Sequence, residues 1–278
     1  MPTVDNRILE ALKRQQVVTE YIVYPQQNSN IENYQILLSN VPSTSKEDVL
    51  VVHKNKIIPH WVESKGKVWT KIPNLLTKTP LKIYTLTGNP SAASASNGTN
   101  TFVAWHGVAT SNFHDSNIIP SGSIIYEAKG RSTIVSGNEV LMWGIGVDGN
   151  LEINSGTDGV ALKSYEWSSV PGRYFLTTNG AAYTQVQGTG GKYGYNVWKQ
   201  LKIVIDSTPS AHGYVDGVEQ ATGITTNLPN ENLGLAMYTS AGTMAQEYSF
   251  VRKYASPEPI VKKIRTLNKS LLLKELMR

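Results

Sequence analysis

From Trp198 onward the chain alternates. Leu201, Ile203 and Ile205 take every second position, with Lys202, Val204 and Asp206 between them. A period of two predicts a strand over 198–205 whose two faces meet different surroundings. A second strand over 212–216 closes on Val215-Asp216-Gly217. Gly217 accepts a positive φ without steric cost and Asp216 tolerates one. Asp216-Gly217 therefore predicts a type I′ hairpin turn, with the flanking strands near Tyr214 and Val218 paired antiparallel.

The same patterning divides the rest of the chain. Val4, Ile8, Ala11 and Leu12 recur at helical spacing behind Thr3 or Asp5 as caps, with Glu10 in the first turns, which predicts an amphipathic helix within 1–16. The run VVTEYIVY then switches to β-branched and aromatic residues, predicting a strand over 17–24. Further strands are expected at 34–39, 48–53, 57–63, 67–72 and 80–86, each bounded by Pro, Gly, Asn or Ser. The stretch GNPSAASASNGTN, 88–100, has too little apolar surface to pack and marks a domain junction near residue 95. Ten or so strands follow, among them 101–106, 122–131, 139–147, 159–163, 173–178, 232–238 and 246–253. Past Pro259, the spacing i, i+4, i+7, i+11 of Ile260, Ile264, Leu267 and Leu271 predicts a basic amphipathic helix. The fold class expected is all-β: two β-sandwich (jelly-roll) domains with short amphipathic helices at both termini. The expected domains are 1–16 (helix), 17–95 (small sandwich), 96–256 (jelly roll) and 257–278 (helix).

Composition narrows the chemistry. Charged residues make up 17% of the 278, and Asn, Ser, Thr and Gly crowd between short runs of Val, Ile, Leu and Tyr, as in all-β chains. With no cysteine, neither disulfides, nor thiolate metal sites, nor a cysteine nucleophile is available. No apolar run reaches the roughly 20 residues that span a bilayer, and MPTVDNRILEALKRQQ lacks the apolar core of a signal peptide. The net charge of +5 is uneven. Residues 252–278 hold eight basic side chains against Glu258 and Glu275, so the remainder is close to neutral. That distribution argues against a nucleic-acid clamp and for a basic tail that meets something acidic.

Two family resemblances cover most of the chain. Trp198/Leu201 followed by Val215-Asp216-Gly217 resembles the closing strands of a concanavalin-A-like or laminin-G-like jelly roll. This implies a lectin-like sandwich for the second half, with calcium possible at its loops. The segments ENYQILLSNVP, IIPHWVESKGKVWTKIP, GNPSAASASNG and VRKYASPEP resemble the family of domains of unknown function numbered 2341, although Thr87 stands where an aromatic residue usually precedes the Gly-Asn. That family commonly precedes such a jelly roll and occurs in archaeal surface and archaeal virus proteins. The resemblance thus implies a virion or extracellular surface location. Without a signal peptide, the chain is a mature form, is exported by another route, or is a virion protein, the last being preferred.

Catalytic signals are sparse. The chain has no E-x-D-x-x-E run of the kind that places two carboxylates about 5 Å apart for retaining glycoside hydrolysis. The nearest pair, Glu139 and Asp148, flanks an apolar strand. No G-x-S-x-G, Walker loop or H-E-x-x-H occurs either. His106, His114 and Asp115 cluster in HGVATSNFHD but lack a zinc spacing. Asp115 and Asp148, with Asp158 and Asp206, are the weak calcium candidates, and no other cofactor is expected.

Aromatic residues are stronger candidates, because sugars bind by stacking a C–H face on a ring beside polar partners. Tyr193 and Tyr195 in GKYGYN lead, followed by Trp167 and Tyr183, with Tyr174 and Trp105 also on loops or strand ends. Trp61, Trp69 and Trp143 lie in strand patterns and are expected in the core. The C-terminal stripe Ile260, Ile264, Leu267 and Leu271 could pack on the body, lie on an acidic membrane or dock on a partner subunit, and the partner contact is preferred. Asn97-Gly-Thr99 and Asn268-Lys-Ser270 match the glycosylation triplet.

The expected function is non-enzymatic. The protein would be an attachment or structural protein of a virion or cell surface, binding glycans or the cell envelope, assembled as a homo-oligomer or with other surface proteins. A polysaccharide-active glycoside hydrolase on the same fold and an architectural shell protein without ligand stand as alternatives.

Overall fold

The computed structural model describes residues 4–14, 17–42, 49–89, 94–115, 119, 122–132, 140–147, 159–165, 174–179, 184–187, 196–206, 210–225, 233–239 and 244–277. The chain forms two compact units. The first is discontinuous, combining Met1–Phe102 with Ala255–Arg278, and the second is Val103–Tyr254.

The first unit opens with α1 (Asn6–Arg14), capped by Asp5, whose side chain accepts from the Arg7 amide at 2.9 Å. Then come β1 (Val17–Tyr24), β2 (Ile31–Ser39), β3 (Leu50–His53), β4 (Lys56–Ile57), β5 (His60–Ser64), β6 (Lys67–Leu75) and β7 (Leu81–Thr87). The short α2 (Gly98–Thr101) follows. Here the expected junction is corrected in part: its small polar residues dock through hydrogen bonds rather than apolar surface. Ser96 Oγ accepts from the Val62 amide at 2.9 Å, and the Asn97 amide donates to the His60 carbonyl at 2.8 Å. Phe102 then sets its ring edge-on to Trp61 and Trp69.

The C-terminal segment differs most from expectation. Residues 260–267 form a strand, β20 (Ile260–Leu267), and only Lys269–Leu276 is helical, as α3. β20 pairs antiparallel with β1 and completes a five-stranded sheet in the order β20-β1-β7-β3-β4, facing a three-stranded sheet β2-β6-β5. Between the sheets lies a core that includes Tyr21, Val23, Ile83, Tyr34, Leu38, Val68 and Ile72. On the far side of the larger sheet both terminal helices pack. Ile8 and Leu12 of α1 and Leu272 and Leu276 of α3 bury against Val18, Val52, Tyr84 and Leu86. Leu267 belongs to this cluster and Leu271 packs against it, whereas Ile260 and Ile264 stay 48% and 43% exposed. The four residues expected to share one helical stripe therefore divide between an edge strand and a core helix.

The two Asn-x-Ser/Thr triplets serve as helix caps. Asn97 accepts from the Asn100 amide and Asn268 from the Leu271 amide, at 2.9 and 2.8 Å.

The second unit is a sandwich of two six-stranded antiparallel sheets. Its strands are β8 (Ala104–His106), β9 (Phe113–His114), β10 (Ile124–Ser132), β11 (Val140–Val147), β12 (Gly159–Tyr165), β13 (Tyr174–Asn179) and β14 (Thr184–Gln187). They continue as β15 (Lys199–Ile205), β16 (Ser210–Val215), β17 (Val218–Thr225), β18 (Leu233–Thr239) and β19 (Met244–Lys253). One sheet runs β17-β16-β15-β10-β19-β8 and the other β14-β13-β12-β11-β18-β9. Their inner faces share a core built on Tyr126, Leu201, Ile203, Trp143, Leu162 and Leu235. Trp143 is fully buried, and a Cβ at Gly130 would lie 2.5 Å from its ring, so the glycine admits the indole. The Asp216-Gly217 hairpin forms as the sequence predicts, with φ of +50° and +80° and Val215 opposite Val218.

Candidate functional site

Alternation along β15 and β10 sends one set of side chains into the sandwich and the other outward. An antiparallel sheet with a solvated face carries polar residues there by default. This outward face carries more than that: rings and cations set side by side in cross-strand register.

Lys129 on β10 lies between Gln200 on β15 and Tyr248 on β19. The Tyr248 hydroxyl donates to Gln200 Oε1 at 3.1 Å, and Lys129 Nζ meets Glu247 at 2.7 Å. One step along, Tyr214, Lys202, Glu127, Phe250 and Trp105 stand in a row across five strands. Lys202 Nζ sits 4.5 Å from the Tyr214 ring centroid, and Glu127 accepts from Arg252 Nε at 2.8 Å. At the other end Trp198, just before β15, receives the Arg131 guanidinium at 4.5 Å and Lys129 Nζ at 5.6 Å from its ring centroid.

The face grades in accessibility. Tyr248, Phe250 and Arg252 are buried, while Gln200 is exposed and Trp198, Lys202 and Tyr214 are half-buried. The hairpin fixes its margin: Asp216 accepts from Lys199 Nζ at 2.8 Å and from the Gln200 amide at 3.0 Å. Further out, His212 Nδ1 lies 2.8 Å from Glu219. Arg131 and Lys202 form no ion pair with a carboxylate among the described residues; each charge rests on an aromatic ring. Cations over ring faces gain from the ring quadrupole and keep hydrogen-bonding capacity for a ligand.

The other candidates fare differently. Tyr193, Tyr195, Trp167, Tyr183 and Asp148 lie outside the described residues, as do Glu139 and Asp158, and Tyr174 falls on β13. Asp115 and His106 come together, Oδ2 to Nδ1 at 3.8 Å, and His106 stacks on Phe113 at 3.8 Å between centroids. His114 stays exposed opposite Ala236 on β18. Among the described residues no three His, Asp or Glu side chains converge as a metal site would need. Trp69 and Trp143 are buried, and Trp61 is half-buried. On the outward side of the second sheet Lys163, opposite Met142, is fully buried, and burial pulls its amine down to about 8.

Trp198, Arg131, Lys202 and Tyr214 are the residues that motif reading passed over as a site. The signal for half of it is local, since the parity that puts Leu201 inside puts Trp198, Gln200 and Lys202 outside.

Residues 45–117 match the family model described as a domain of unknown function, DUF2341. No curated protein matches the chain. Among solved structures, the carbohydrate recognition domain of Emp47p is similar at 11% identity and a TM-score of 0.40, over 82% of this chain and 98% of that one. Galectin LEC-6 of Caenorhabditis elegans is similar at 10% identity and 0.38, over 54% and 96%. A xylan beta-1,4-xylosidase from Bacillus halodurans is similar at 15% identity and 0.35, over 48% and 28%. No helix among the described residues is long and apolar enough to cross a membrane.

Proposed function

We propose that the chain is a non-enzymatic glycan-binding protein, acting in attachment or as a structural component at a virion or cell surface. The outward face of the β10–β15–β16 sheet is the binding surface. The observation that carries this is the alternation of rings with cations that have no carboxylate partner among the described residues, Trp198 with Arg131 and Tyr214 with Lys202, on either side of the exposed Gln200 side chain. A sugar's C–H face stacks on a ring while its hydroxyls accept from guanidinium, ammonium and amide donors. Contacts of this kind are individually weak, so attachment relies on several copies acting at once through effective concentration.

Binding of the purified chain to a glycan array and to envelope fractions, with and without calcium, tests this. Saturable binding that falls about tenfold in Trp198→Ala and in Arg131→Ala, a loss of roughly 1.4 kcal/mol, is the expected result. The Tyr193→Ala/Tyr195→Ala variant asks whether the GKYGYN segment contributes to the same binding. Absence of saturable binding to any glycan or envelope fraction overturns the proposal in favour of a purely architectural role. Turnover of a bound polysaccharide overturns it in favour of a glycoside hydrolase.

A further inference from the structure

The first unit holds a cavity of about 320 Å³ that the glycan reading does not use. Its walls come from the β3–β4 turn, the end of β6, the start of β7 and the last turn of α3. Two of its lining charges, Lys82 and Glu275, belong to a compensated cluster with Glu20 and Arg265. Lys82 Nζ lies 3.1 Å from Glu275 and 3.4 Å from the buried Glu20, whose other oxygen lies 2.8 Å from Arg265 Nε.

Two further groups remain. His53 Nδ1 lies 2.8 Å from the Lys82 carbonyl, which can only accept, so Nδ1 carries the proton. Burial holds the His53 pKa below its ordinary value, which leaves the ring neutral with Nε2 as an acceptor. Lys54, exposed at the turn with φ +53°, has no ion pair among the described residues. The lining therefore carries one uncompensated positive charge. Beside it stands apolar surface from Pro80, Leu81 and Leu276, with Leu76 left 41% exposed at the rim.

We propose that this cavity binds a small monocarboxylate with a single ring or similarly compact body, its carboxylate at Lys54 and its body against Leu76 and Leu81. The volume suits one ring and a carboxylate, at the small end of ligand pockets. One net positive charge selects a monoanion over a neutral analogue, and among the described residues the lining offers no second unpaired cation for a further negative charge. The ring is apolar or a sugar, and the test separates the two.

The experiment is calorimetric or ligand-observed NMR titration of the full chain with matched pairs, benzoate against benzyl alcohol and galacturonate against galactose. At least one acid is expected to bind at least about fivefold more tightly than its neutral partner, a difference of about 1 kcal/mol. Lys54→Gln should remove that preference, and Leu76→Asp should weaken binding of the acid. Both positions are exposed, so neither variant empties the core. Trp198→Ala should change nothing here, which separates failure of this site from failure of the glycan face. Preference for benzoate assigns an apolar ring, and preference for galacturonate assigns an acidic sugar. Equal binding of acid and neutral partner, a preference that survives Lys54→Gln, or no saturable binding of either acid overturns the proposal.

Discussion

The two units solve the same problem in opposite ways. Each has an antiparallel sheet whose inner face joins a sandwich core, and each must deal with the other face. In the first unit the outer face of β20-β1-β7-β3 carries Val18, Leu86, Tyr84 and Val52, and α1 and α3 cover it as a third layer. In the second, the outer face of β16-β15-β10 carries Lys202, Gln200, Lys129 and Arg131 among aromatic rings. Apolar outer faces demand a cover; polar ones remain available for a ligand. The terminal helices are thus part of the first unit's body, and the proposed binding surface lies on the polar outer face of the second.

Four experiments break or sharpen that contrast. Ile8→Ala or Leu272→Ala should each destabilise the chain by about 3 kcal/mol, as buried aliphatic truncations do. A loss under about 1 kcal/mol in denaturant unfolding would make the helices peripheral and erase the contrast. Arg265→Ala comes next. It leaves the buried Glu20 carboxylate, among the described residues, with only Lys82 at 3.4 Å, at a cost of about 2 kcal/mol. Glu20→Gln should cost less, because Arg265 and Lys82 are both about half exposed and rehydrate once released.

A pH scan gives a smaller effect, confined to the first unit's histidines. Desolvation lowers the pKa of His53, which donates from Nδ1 to the Lys82 carbonyl, and of His60, whose Nδ1 and Nε2 lie 3.1 and 2.9 Å from the Ile58 and Val49 carbonyls and of which only one can donate while the ring is neutral. The unfolded chain therefore takes up protons first as pH falls through about 6.5. Stability should be full above that value and decline below it. Thermal unfolding between pH 8 and 5 should show the decline, and His60→Gln should flatten it; an unchanged melting temperature would mean that the ring is not held neutral. The smallest effect is expected on the open face. Lys202→Ala and Arg131→Ala should each alter stability by under about 1 kcal/mol while weakening glycan binding, and a larger loss would mark the face as structural.

Much of this architecture is legible along the chain. VVTEYIVY falls on β1 over Val17–Tyr24, and Asp216-Gly217 turns the hairpin with both residues at positive φ. Lys269–Leu276 is helical, but IVKKIRTL before it is a strand. There the helical spacing of Ile260, Ile264 and Leu267 misled. Ile260, Val261, Ile264 and Thr266 are β-branched, which favours extended backbone, and a bulge at Ile264 breaks the period-2 pattern that would have shown it. The site was half legible. The parity of Trp198, Gln200 and Lys202 is local, but the neighbours that give it chemistry, Arg131 and Tyr248, arrive from β10 and β19.

The sequence by itself determined the all-β class, the hairpin, the helices at both ends and which side of β15 faces the core. Local sterics and the two-residue period settle those within a few residues of each position. Only the tertiary structure decided that residues 255–278 return to the first unit, that β20 joins β1 across 245 positions between Arg265 and Glu20, and that Arg131 lies on Trp198. Strand pairing is fixed by burial and backbone hydrogen bonds between segments far apart in the chain. Such partners leave no mark in any local window of the sequence.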